Sequence, residues 1–335
     1  MGKDKWVTMK DVADLAKVGT ITVSRVLRTP EKVSESKRLR VQKAIDDLGY
    51  VPDNTAGALS SSRSRVFGAI VSTIGDSVFA STLDGLSGTL RAAGYELLLT
   101  STGYDPDVEE DALRALLARR PDGIVLTSTS HSAGTSKLLK SLSIPVVEIW
   151  QLPPAPLDIA VGFSNFQAGH DMARHLIDSG RKTIAFLGGG GLLDARGRRR
   201  REGYEAALHT AGMTPVTWTD QGQAVPPGIE LGAAFFDECL KANPHIDAVM
   251  CVSDTVAVGV LCEARRRNLK VPGELAVSGF GGFDVARPSG FDLTTIEVPG
   301  TAIGTASAQA LLDPDAARAR KVIDLGYKLV VRGTT

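Results

Sequence analysis

From residue 9 onward the apolar positions recur every three or four residues. Met9, Val12, Ala13 and Ala16 fall at i, i+3, i+4 and i+7, which is one face of a helix. A break at Lys17–Thr20 precedes a second run that starts at Ile21, with Val23, Val26 and Leu27 as its apolar stripe. The opposite face of that run carries Thr20, Ile21, Thr22, Ser24, Arg25 and Arg28. Two short helices, a tight turn and a polar, basic outer face predict a helix-turn-helix, whose second helix enters the DNA major groove. An ordinary helical hairpin has the same spacing. Ser34 is placed to cap a third helix, with Glu35 in its first turn. Val41, Ala44, Ile45 and Leu48 repeat the stripe, so this helix closes a small three-helix core.

The pattern changes after residue 51. Residues 52–65 are poor in large apolar side chains and rich in Ser, Asp, Asn and Arg, as in a linker. From Val66 strand-like runs (66–72, 95–101, 122–128, 144–149, 159–163, 183–189, 248–253, 274–280) alternate with amphipathic spans (77–94, 108–119, 165–180, 197–212, 228–243, 254–268). Such alternation implies parallel α/β sheets, and this many strands predict two doubly wound subdomains. The expected architecture is an all-α helix-turn-helix head at 7–51, a linker at 52–64 and an α/β body at 65–335. Ligands in doubly wound sheets sit beyond the carboxyl ends of the strands, here in a cleft between the subdomains.

Charge sharpens the division. Residues 1–65 hold 13 Lys/Arg against 8 Asp/Glu, and the remainder 25 against 30. A basic head on an acidic body suits phosphate contact by the head alone. Cys239, Cys251 and Cys262 lack metal-ligand spacing and read as reduced thiols. No apolar run precedes Lys3–Lys10, and no apolar stretch is long enough to span a membrane, so a cytoplasmic protein is expected.

Catalytic motifs are not evident. Gly188–Gly191 follows a strand, but Leu193 occupies the final glycine position of a dinucleotide fingerprint. There is no Walker loop, zinc-protease helix or nucleophile elbow. The histidines at 131, 170, 175, 209 and 245 are scattered, and only His131 lies at a strand end. No enzyme activity, cofactor or metal is expected.

Specific motifs add to this reading. DVA at 11–13, TVSRVL at 22–27, VS at 33–34, LGYVP at 48–52 with Ala56 and Leu59, and the ending LVVRGT at 329–334 resemble the LacI/GalR family of transcription regulators along the whole chain. The resemblance implies a periplasmic-binding-protein-like body that the chain crosses three times. Its subdomains would comprise about 65–162 with 298–323, and 163–297 with 324–335. The resemblance makes Thr20, Ile21 and Arg25 the base-reading residues. Arg25 suits a bidentate bond to guanine, and Ile21 an apolar contact such as a thymine methyl. Thr8, Thr22, Ser24 and Lys32 are assigned to phosphate or positioning contacts, and Asn54 to the DNA interface. Leu59 matches the family's minor-groove wedge and Ala56 its small neighbour. Gly57 would weaken the linker helix by about 1 kcal/mol relative to Ala. Two departures stand out: Lys17 where the family carries Gly, and Gly19 where it carries Ser or Thr. A Lys at positive φ is strained, so the turn is expected to differ locally.

Within the family, SVFASTLDGL (77–86), GYELLLTSTGYDP (94–106), SIPVVEIW (143–150), LDIAVGFSNFQA (157–168) and SGFGGFD (278–284) resemble gluconate-operon repressors. Many members place an Asp after the glycine–aromatic pair, where it bonds sugar hydroxyls. Gly281–Gly282 stand there instead, and a site without that acid favours an anionic ligand. The cation would come from the run RGRRRR (196–201), in which Arg200 matches the family's effector-binding arginine and can hold a carboxylate bidentately. Arg198 and Arg201 are expected on a solvated face. Asp76, Phe79, His131, Glu148 and Trp150 lie at or just after strand ends, with Phe79 and Trp150 placed to stack on a sugar chain. Ser253 and Gly281 complete the expected site, although Glu148 opposes an anion. The expected protein is a dimeric, sequence-specific repressor of sugar-acid catabolism genes. Its partners would be a near-palindromic operator and an effector such as gluconate. A LacI-family regulator of another sugar or nucleoside, or a sugar-binding module with a non-functional head, remain alternatives. No leucine-heptad tail follows Val330–Val331–Arg332, consistent with a dimer.

Overall fold

The computed structural model describes residues 6–52, 64–74, 79–188, 195–219 and 228–335. The chain divides into two compact units, Met1–Ser64 and Arg65–Thr335.

In the first unit, α1 (Met9–Ala16), α2 (Thr20–Arg28) and α3 (Glu35–Leu48) surround a core of Val12, Ala13, Ala16, Val23, Val26, Val41, Ala44 and Tyr50. Each helix is too short to be stable alone, so burial of these stripes holds it. A capping box starts α1. The Thr8 hydroxyl accepts from the Asp11 N–H at 3.3 Å, while the Thr8 N–H donates to Asp11 Oδ2 at 2.8 Å. Lys17 ends α1 in the left-handed region, at φ 54° and ψ 50°. The turn therefore keeps its geometry without glycine, contrary to the sequence expectation. Backbone closure explains this: Lys17 N–H reaches Asp14 O at 3.3 Å and Val18 N–H reaches Ala13 O at 3.0 Å. Those bonds satisfy helix-end carbonyls and offset the strain. Gly19 and Ser34 occupy the cap positions of α2 and α3, but neither makes a side-chain cap bond.

The second unit contains two six-stranded sheets. The first takes β1 (Val66–Val71), β2 (Glu96–Ser101), β3 (Ile124–Leu126), β4 (Val146–Ile149), β5 (Ile159–Gly162) and β11 (Val322–Asp324), in the order β11-β5-β4-β3-β1-β2. The second takes β6 (Ile184–Leu187), β7 (Val216–Trp218), β8 (Ala248–Cys251), β9 (Ala276–Gly281), β10 (Thr294–Glu297) and β12 (Lys328–Val330), in the order β12-β10-β9-β8-β6-β7. The chain passes between sheets after β5, after β10 and after β11. Helices α4 (Ala80–Ala92), α5 (Pro106–Leu117), α6 (Ala133–Lys140), α11 (Gly300–Leu312) and α12 (Pro314–Arg320) accompany the first sheet. The second has α7 (Asn165–Asp178), α8 (Ala195–Thr210), α9 (Ile229–Ala242) and α10 (Asp254–Arg266).

The pairing is parallel except between β10 and β12, which run antiparallel. Only three residues connect β11 to β12. A chain leaving one sheet at its carboxyl edge without a helix can enter the facing sheet only from that sheet's carboxyl edge. It then runs against its neighbour.

Helices pair through glycine. Gly169 in α7 and Gly203 in α8 each face the other helix's backbone carbonyl, and a Cβ at either position would overlap that oxygen. This close approach sets the position of α8 against the second subdomain. Tyr204 locks it further: its hydroxyl donates towards Ile184 O at 2.8 Å and accepts from Val216 N–H at 2.9 Å. Among the described residues no helix is long and apolar enough to cross a membrane.

Candidate nucleic-acid interface and ligand cleft

The outer face of α2 is presented as the sequence expects. Thr20, Ile21 and Arg25 are exposed, while Val23 and Val26 on the inner face are buried. Ile21 is 69% exposed, an apolar side chain left outside by a helix that buries its other face. Its position one turn before Arg25 puts an apolar and a guanidinium contact on one strip. Thr22 and Ser24 are half-buried, and Lys32 is exposed in the short turn after α2. Thr8 is exposed but engaged in the capping box, its hydroxyl donating to Asp11 Oδ2 at 2.6 Å. Asn54, Ala56, Gly57 and Leu59 lie outside the described residues.

In the second unit the carboxyl ends of both sheets converge on the cleft. Arg200 projects from α8 and is buried. Its Nη1 donates to Asn165 Oδ1 at 2.6 Å, and its guanidinium carbon lies 4.0 Å from the centre of the Phe280 ring. Asn165 in turn donates to Trp150 O at 2.8 Å and Gln151 Oε1 at 2.7 Å. Arg200 is therefore oriented by a residue that also ties the two subdomains together. Phe163 lies 6.0 Å from Phe280 and 6.1 Å from Trp150, ring centre to ring centre, which completes an aromatic floor.

Phe79 and Trp150 come together, but on each other: their rings meet edge to face at 5.1 Å. Trp150 Nε1 donates to Thr82 Oγ1 at 3.0 Å. Trp150 and Gly281 share a cavity of about 590 Å³ with Gly282, Phe283, Glu297 and Pro299. Gly281 has φ 127°, and a Cβ there would collide with the Phe283 ring, so the missing side chain is required by the backbone as well. Ser253 caps α10, accepting from Val256 N–H at 3.3 Å.

His131 and Glu148 are spent on structure rather than directed at an open cleft. His131 Nδ1 lies 2.6 Å from Glu109 Oε1, and its Nε2 lies 3.9 Å from Glu148 Oε1. Glu148 also accepts from Leu157 N–H at 2.7 Å. Burial opposes the His131 charge, but the hydrogen bonds to Glu109 and Glu148 outweigh it and lift the imidazolium to about 9. The carboxylate that opposed an anionic ligand on sequence grounds is thus faced by a cation. Asp76 lies outside the described residues.

Two segments of the chain match family models. Residues 8–53 match the bacterial regulatory proteins of the lacI family, and residues 64–324 match the periplasmic binding proteins and sugar binding domain of the LacI family. The chain belongs to the LacI family. It is 36% identical over 339 residues to the HTH-type transcriptional regulator GntR of Escherichia coli K12, covering 99% of each chain. The HTH-type transcriptional regulator IdnR of the same strain is 32% identical over 326 residues, covering 96% of this chain and 97% of its own. A crystal structure of a LacI-family transcriptional regulator from Silicibacter pomeroyi superposes with a TM-score of 0.89 at 30% identity, covering 98% and 99% of the two chains. The chain is a DNA-binding transcriptional regulator of this family.

For a LacI-family cleft, three residues here escape sequence reasoning. Arg196 is buried, and its guanidinium reaches across to the first sheet. Its signal was available, since it stands four residues before Arg200 and so shares its helix face. Asn165 carried none, because a polar residue after a helix cap reads as solvated. Asp254 is fully buried, accepting from Thr295 Oγ1 at 2.6 Å and Phe283 N–H at 2.7 Å. Burial pushes its carboxyl up to about 6 against those bonds. The other arginines of the run differ from expectation in one respect. Arg198 and Arg201 are half-buried rather than fully solvated, with Arg201 Nε 3.4 Å from Glu205 Oε1. Arg199 pairs with Glu202 and lies over the Phe166 ring at 5.4 Å.

Proposed function

We propose that this LacI-family regulator is a dimeric repressor released from a near-palindromic operator by a sugar acid of the gluconate type. The observation that carries the ligand class is Arg200: a buried guanidinium, steadied by Asn165 and the Phe280 ring, at the carboxyl edge of the second sheet. A preorganised guanidinium suits bidentate capture of a carboxylate. The printed relatives GntR and IdnR support the same class. At the head, Thr20, Ile21 and Arg25 read bases, while Thr22, Ser24 and Lys32 position the backbone and Thr8 holds the helix that supports them. Asn54, Ala56 and Leu59 extend the contact along the linker. Symmetric half-sites follow from two-fold symmetry. Release is a linkage: an acid that prefers the non-binding conformation lowers operator affinity by the factor by which operator lowers acid affinity.

The test is a gel shift of the full chain on its own promoter DNA with gluconate, glucose or a nucleoside added, repeated with Arg200→Met. Gluconate should release wild-type protein and not the variant, while the variant keeps its operator affinity. Release by glucose or the nucleoside in place of gluconate overturns the sugar-acid reading.

A further inference from the structure

Arg196 stands one helical turn before Arg200 on α8, about 6 Å along the axis. It is nine-tenths buried, at 9% exposure. Its partners among the described residues are uncharged. Nη1 donates to Thr127 O at 2.8 Å, Nη2 lies 3.2 Å from Ser72 Oγ, and the guanidinium carbon lies 5.0 Å from the Phe79 ring centre. Ser72 and Thr127 follow β1 and β3, and they brace each other: Ser72 N–H donates to Thr127 Oγ1 at 2.9 Å. Arg196 itself belongs to a helix locked to the second subdomain through Gly203 and Tyr204. A single side chain therefore spans the cleft.

Arginine stays charged in proteins and carries five N–H donors, of which these bonds use two. Neutral acceptors recover only part of the hydration that a buried cation gives up. An anion on the remaining donors would supply what is missing, and only in the closed cleft would it also touch the Ser72–Thr127 edge. We propose that Arg196 receives a second anionic group of the effector, so that the ligand class is a dianionic polyhydroxy acid with a carboxylate or phosphate at the end opposite the carboxylate on Arg200. This rests on the sugar-acid reading of Arg200. The separation along the helix is comparable to that between the ends of an extended six-carbon acid. Because the second group would sit where the subdomains meet, it would favour closure more than a mono-acid does.

The test is calorimetry on the full chain with glucose, gluconate, glucarate and 6-phosphogluconate, on wild type, Arg196→Met and Arg196→Lys. At least one dianion should bind wild type about tenfold or more tightly than gluconate. Arg196→Met should bring that dianion down to the affinity of gluconate, with gluconate changed by less than about threefold, and Arg196→Lys should keep part of the preference. Glucarate and 6-phosphogluconate distinguish a carboxylate from a phosphate as the second group. Equal binding of gluconate and both dianions by wild type overturns the proposal and leaves Arg200 untouched. Glucose binding in preference to every acid removes the sugar-acid reading itself.

Discussion

The bare Cα of Gly169 packs against the backbone carbonyl of Arg200, so the residue that holds the guanidinium in place has no side chain at all. Gly169→Ala forces α7 and α8 apart. The expected cost is about 1–3 kcal/mol of stability, as for overpacking elsewhere, read from urea denaturation. Acid affinity should fall with it, because Arg200 moves with its backbone. Gly88, exposed in α4 with open space around its Cα, is the control. Gly88→Ala should be neutral or stabilising by up to about 1 kcal/mol.

Tyr204→Phe removes the hydroxyl that joins α8 to β6 and β7. The Val216 N–H, which donates to it at 2.9 Å, loses its acceptor. A buried donor left without a partner costs about 1–3 kcal/mol. Denaturation should show that loss while operator binding by the folded variant is unchanged. A variant as stable as wild type would mean that the hydroxyl does not hold the helix.

Stability should depend on pH through His131. Its folded value of about 9 lies above the ordinary 6.5. A group raised on folding contributes fully below its unfolded value and loses that contribution as pH rises through its folded value. The window is therefore pH 6.5 to 9. Asp254, raised to about 6, titrates below it. In urea titrations across that window, wild type should lose stability relative to His131→Gln. A constant difference between the two proteins would exclude a charged, folded-state imidazole.

At the head, Arg25→Ala should cost about 1–3 kcal/mol of operator binding and relax base preference at one position per half-site. Lys32→Ala should weaken all sequences alike and reduce the salt slope. Competition gel shifts over single-base operator variants separate the two roles. Identical profiles for both variants would show that Arg25 does not read a base.

Most of the head was legible in the residue order. Val12, Ala13, Ala16, Val23, Val26, Val41 and Ala44 were picked by spacing alone and form the buried core. That success has a local cause: helix periodicity ties neighbours three and four apart to one face, so burial is written along the chain. The same holds for β1, β4, β6 and β8, whose continuous apolar runs mark strands covered on both sides. Strands β7, β10, β11 and β12 have three or four residues each, too few for any periodicity to register, and α11 is built largely of small residues. The left-handed Lys17 was also out of reach, since its strain is offset by bonds from Val18 that exist only once the turn has closed.

The cleft divides along the same line. The sequence by itself determined that a cation would stand in it, because Arg200 falls in a recognisable motif within one helix. Only the tertiary structure decided the rest. The pairing of Arg200 with Asn165, of Arg196 with Thr127, and of His131 with Glu109 joins residues 35, 69 and 22 positions apart. Such contacts depend on how two sheets and their crossovers are placed in space. No repeat or spacing along the chain encodes them, so whether a polar residue such as Glu148 faces a ligand or its own subdomain is settled only when the fold brings its partner to it.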